Sequence, residues 1–94
     1  MNPATLEALN QLADAAESPT GQGRHVRLFL LGLFNGQEFP FDLTRLRVID
    51  PDLQVAPLRV LAFDMRSGTE IDHWISGGAE RLARWVRLEI HSQP

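Results

Sequence analysis

The chain lacks cysteine and lysine altogether among its 94 residues. Without cysteine there is no disulfide framework, no thiolate zinc site and no thiol nucleophile. Three dispersed histidines, His25, His73 and His91, leave little material for any other metal site and stand beside no serine or acid at a triad-like spacing. The expectation is therefore a protein that is not an enzyme and uses no metal or cofactor. Long apolar runs are missing too. The longest, Leu28 to Phe34, falls far short of the roughly 20 residues that cross a bilayer. Met1-Asn2-Pro3 does not begin a basic region followed by an apolar stretch, so a cytoplasmic protein without membrane contact is expected. All nine basic residues are arginine, which reads as coding bias, and the net charge of −3 argues against nucleic-acid binding by bulk charge.

What is present suits one globular domain spanning residues 1–94: 44% of the residues are hydrophobic and 22% charged, and the length allows a single core. Asn2-Pro3 is a helix start, with a capping side chain followed by a proline that needs no N–H in the first turn. The helix predicted over 3–17 would bury Leu6, Leu9, Ala13 and Ala16 and expose Glu7, Asn10, Asp14 and Glu17. A second helix, over about 20–35, carries Val26, Phe29, Leu30, Leu33 and Phe34 on one face and Leu28 and Leu31 on the other, with Asn35-Gly36 as its stop. Asp42 caps a short helical turn holding Leu43 and Leu46.

A third helix over about 51–66 has two apolar faces, Leu53/Ala56/Val60/Phe63 and Val55/Leu58/Ala62/Met65, and Pro57 within it predicts either a kink or a start at that residue. The last segment keeps Ile71, Ile75, Gly78, Leu82 and Trp85 in one helical phase across Gly77-Gly78, which favours one long helix or two coaxial pieces, with a break at 77–78 as the alternative because each glycine costs about 1 kcal/mol in a helix. The fold class is thus all-α, a compact bundle of about four helices plus a short helical turn, with helices two and three as the buried middle. The alternative is α+β, with a hairpin at Asn35-Gly36 and a short strand over 86–90.

The run Thr20-Gly21-Gln22-Gly23-Arg24, followed by Phe29-Leu30-Leu31, Asn35, Phe41-Asp42-Leu43-Thr44, Leu46 and Asp50, resembles a family of small uncharacterised proteobacterial proteins. Members are often met near plasmids or integrated mobile elements. The likeness covers residues 12 to 66 and, weakly, the region of Trp85. Phe34 departs from it, standing where the family prefers tryptophan, and so does Pro57. The resemblance implies a helical fold and no known activity.

Thr20, Gln22 and Arg24 are candidate anion-binding residues at a helix N-terminus, or else anchors for the loop from Phe39 to Thr44. The segment lacks the Gly-Lys-Ser/Thr ending of a phosphate loop. Arg81, Arg84 and Arg87 recur every third residue opposite Leu82, Trp85 and Val86, which predicts a basic solvent-facing strip. Leu28 and Leu31, with the Val55/Leu58/Ala62 face, are candidate interaction surfaces. The favoured function is a non-enzymatic helical protein-interaction or regulatory module, self-associating in its simplest form or binding another protein. The alternative is a nucleic-acid-associated accessory protein of a mobile element that uses the arginine strip.

Overall fold

Asn2 Oδ1 accepts the Thr5 N–H at 2.8 Å, and Pro3 follows in the first turn, so α1 (Pro3–Ala16) begins where the capping chemistry places it. The computed structural model describes the backbone of residues 2–92 and the side chains of residues 2–90. After α1 come α2 (Gly21–Phe34), α3 (Val55–Ser67) and α4 (Gly78–Ser92), with single turns of 3₁₀ helix at Leu43–Arg47, Pro51–Leu53 and Ile71–His73. No strand occurs among the described residues, and the class is an all-α bundle.

Asn35-Gly36 ends a helix and does not turn a hairpin. The Asn35 N–H donates to Leu31 O at 2.8 Å, and the Phe39 N–H donates back to Asn35 O at 2.9 Å. Val86 to Ile90, the other candidate strand, lies within α4. Pro57 sits third in α3, where its missing N–H would have had no acceptor within the helix. Helix α3 therefore starts at Val55, two residues before Pro57, and the proline needs no kink. A separate 3₁₀ turn occupies the residues before it.

The long terminal helix is broken at its glycines. Gly77 has φ +64°, in the left-handed region, and a Cβ on Gly78 would collide with the Asp72 carbonyl. Helical phase alone missed this close chain crossing, which needs both a backbone reversal and a residue without a side chain.

The centre of the bundle is α1, a correction to the expectation that α2 and α3 form its middle. Leu9, Leu12, Ala13 and Ala16 are completely buried, and α1 packs against both α2 and α3. The alanines explain why this short helix can be central, because small side chains let both neighbours approach. Leu6, predicted to be buried, is 40% exposed. In α2, Val26, Phe29, Leu30 and Leu31 are buried. Its apolar excess is covered from within the chain. Phe41 folds back edge-on to Phe29 with ring centroids 5.4 Å apart, and Phe39 is buried alongside. Trp85 of α4, fully buried, seals the same core.

Candidate interaction surface

Four residues of the Thr20–Arg24 segment are engaged in internal fastenings. Gln22 Nε2 donates to Val48 O, and Gln22 Oε1 accepts the Asp50 N–H, each at 2.8 Å. One side-chain amide thus clips the loop where the 3₁₀ turn at Leu43–Arg47 meets the one at Pro51–Leu53, just beyond the stretch from Phe39 to Thr44. A Cβ on Gly23 would overlap the Ser18 carbonyl, so only glycine allows the α1–α2 turn to pack so closely. Arg24 reaches across to Glu89 of α4 at 3.2 Å. The Thr20 hydroxyl pairs with the Ser18 hydroxyl at 2.8 Å and makes no capping bond to α2.

The α4 strip is likewise largely tied down. Arg81 Nε donates to Glu17 at 3.2 Å, its Nη2 donates to Ala13 O at 3.0 Å, and its guanidinium lies 5.6 Å from the Trp85 ring centroid. Arg84 also pairs with Glu17, and the Trp85 indole N–H donates to the same carboxylate at 2.9 Å. Burial alone would raise the Glu17 pKa, but hydrogen bonds from Arg81, Trp85 and Arg84 outweigh it and hold the carboxyl below its ordinary 4.5. The predicted basic strip is corrected in part: Arg84 and Arg87 face solvent as expected, but Arg81 is half-buried, Arg81 and Arg84 are paired with Glu17, and Arg87 alone of the three has no ion pair among the described residues.

Glu89 escaped the sequence reading. It looks like a surface acid, yet it is 1% exposed and held at 3.2 Å by both Arg24 and Arg27. Arg27 also donates to Ala16 O and Ser18 O, each at 2.9 Å. Guanidiniums therefore satisfy carbonyls at the end of α1 that the helix itself leaves open, and their charge suits the negative end of its dipole. The one signal available was the position of Glu89 four residues after Trp85, on the buried side of α4.

His25 faces the same basic neighbourhood, with its Nδ1 3.0 Å from Arg45 Nη1. Burial, then the charges of Arg45 and Arg24, lower its pKa below the usual 6.5.

Leu31 is completely buried and Leu28 half-buried, so α2 offers no open apolar face. This corrects the expectation of an interaction surface at Leu28 and Leu31, and the physical reason is long-range packing: α4 and the turn at Ile71–His73 lie against α2, while Phe41 folds back on Phe29 and Gly32. Helix α3 differs. Val55, Leu58 and Met65 are 55%, 64% and 73% exposed, and Ala62 is exposed between them. Their 3-4-3 spacing sets them in one line opposite the buried Ala56 and Val60. Arg59 and Arg66 border that line on the side facing α1, where two shallow grooves run. One, of about 240 Å³, is walled by Glu7, Gln11, Asp52 and Arg59; the other, of about 260 Å³, is lined by Asn2, Thr5, Arg59, Ala62, Phe63 and Arg66.

No curated protein and no solved structure matches the chain. A family of unknown function, DUF7673, matches residues 6–89, a span that takes in the Gln22 clip, the Gly23 crossing, the outer face of α3 and the buried Glu89. The chain belongs to that family.

Proposed function

We propose that this chain is a non-enzymatic protein-interaction module of the cytoplasm, and that the outer face of α3 is its docking surface. The observation that supports it is the line of Val55, Leu58, Ala62 and Met65, exposed together on one helix of a small domain. Single exposed apolar residues are ordinary, whereas a contiguous stripe is characteristic of an interface. No element among the described residues covers it, in contrast to the apolar excess of α2. The nucleic-acid alternative draws little support from α4, since Arg81 and Arg84 are bound to Glu17 and Arg81 also to Ala13 O, which leaves Arg87 as the arginine of the strip outside an ion pair among the described residues.

The test compares the wild-type chain with Leu58→Asp/Met65→Asp in affinity capture from host lysate, with and without nuclease. Both substitutions sit in solvent, so the fold should keep its melting temperature. A protein retained by the wild type and lost by the variant, regardless of nuclease, is the expected result. Identical retained sets for the two would overturn the reading.

A further inference from the structure

The inference rests on the docking face just described and concerns its occupant. We infer that the α3 seam receives an amphipathic helix of another protein carrying carboxylates one heptad apart, and that a second copy of this chain is not its partner. The seam's dimensions come first. From Val55 to Met65 the helix rises about 15 Å, and the four exposed side chains repeat at a spacing that a single amphipathic helix matches along its own a and d positions. A stable symmetric dimer buries on the order of 1,600 Å² in total, well beyond four side chains on one helix.

Charge then selects between occupants. Arg59 and Arg66 lie one heptad apart along the same edge of the seam, and neither forms an ion pair among the described residues. The opposite edge carries Gln54 and Leu61. The acid of α3, Asp64, is turned inward beside Leu9, Val60 and Trp74, so it cannot serve as a counter-charge on the seam. Two copies packed seam to seam would set arginine against arginine, or arginine against Gln54 and Leu61. Neither arrangement gives the guanidiniums a carboxylate from the facing α3. An incoming helix with Glu or Asp at matching heptad positions does so at both, and buries its apolar stripe on Leu58 and Met65.

The two arginines are not equivalent. Glu7 and Asp52 share the groove beside Arg59, whereas the groove that contains Arg66 has no acidic residue in its lining. Arg66 is therefore the stronger selector of negative charge.

Two stapled helical peptides test this, identical in a leucine stripe of 3-4-3 spacing and differing only in Glu or Lys at two edge positions one heptad apart. Binding to the full chain is read by fluorescence anisotropy, with sedimentation velocity on the chain alone. The Glu peptide should bind about tenfold more tightly than the Lys peptide, as two exposed charge pairs allow. That preference should shrink with added salt, reverse in Arg66→Glu and change less in Arg59→Glu. Equal binding of both peptides, binding of neither, or a dimer that Leu58→Asp dissociates would each overturn the acidic-helix inference. Host capture that still depends on Leu58 and Met65 would leave the docking face standing in those cases; capture unaffected by their replacement would remove the face itself.

Discussion

Replacing Glu89 with methionine removes a carboxylate that is 1% exposed and accepts from Arg24 and Arg27 at 3.2 Å each. The two arginines respond differently. Arg24 is 46% exposed on its side chain and turns to water, but Arg27 is 11% exposed and keeps only the Ala16 and Ser18 carbonyls. Stranding one member of a buried pair costs about 3–5 kcal/mol, and the surviving carbonyl contacts place the loss near the lower end, at about 3 kcal/mol. A chain of 94 residues has roughly 5–14 kcal/mol of stability to lose. Urea unfolding followed by tryptophan fluorescence reads the change directly. With an m-value of about 1.5 kcal/mol/M, the midpoint should fall by about 2 M. The double variant Arg27→Met/Glu89→Met separates the causes. It leaves no buried charge stranded, but it orphans the Ala16 and Ser18 carbonyls at about 1 kcal/mol or more each, so it should recover only part of the stability. A loss under about 1 kcal/mol for Glu89→Met, or full recovery in the double variant, would refute the view that Arg27 is both a counter-ion and a helix cap.

Gly23→Ala should cost about 2–3 kcal/mol, because the new methyl displaces the Ser18 carbonyl and with it an Arg27 contact; Gly21→Ala, which meets nothing within 4 Å, should be neutral or stabilising in the same unfolding assay. Glu17 titrates below 4.5 in the folded chain, so the stability its ionised form contributes is present above that pH and is lost as pH falls through the lowered folded value. Glu17→Gln should therefore flatten the acid limb of a melting-temperature profile, and an unchanged limb would contradict the assignment. His25 should show an NMR titration midpoint below 6.5 that moves upward in Arg45→Ala. Because its folded pKa is lowered, its contribution to stability is full above pH 6.5 and declines as pH falls through the folded value.

The local elements were largely legible because their signals are local. Asn2-Pro3 started α1, and Asp42 caps its 3₁₀ turn through Thr44, as capping chemistry requires. The 3.6-residue period set the helical class, and Trp85 fell on the buried side of α4. The two apolar faces of α2 and α3 were equally visible. Which of them remained open was not, since that depended on α4, Phe39 and Phe41 packing over α2 while no described segment returned over the outside of α3. Burial of a face is a property of what lies opposite it, and opposition is long-range.

The charged residues divide in the same way. Helical spacing located Arg81, Arg84 and Arg87 on one strip, yet their fate was set by Glu17, which is distant in sequence and adjacent in space. Glu89 is the extreme case: a carboxylate reads as exposed unless cations are known to meet it, and Arg24 and Arg27 reach it only once α2 lies across α4. By itself, then, the sequence determined helices and the caps at Asn2 and Asp42, because these depend on neighbours within a turn or two. Tertiary structure alone decided that α1 is central, that Gln22 and Gly23 fasten a turn, and that the seam of Val55, Leu58, Ala62 and Met65 is left open, because each requires knowing which distant groups come within contact distance.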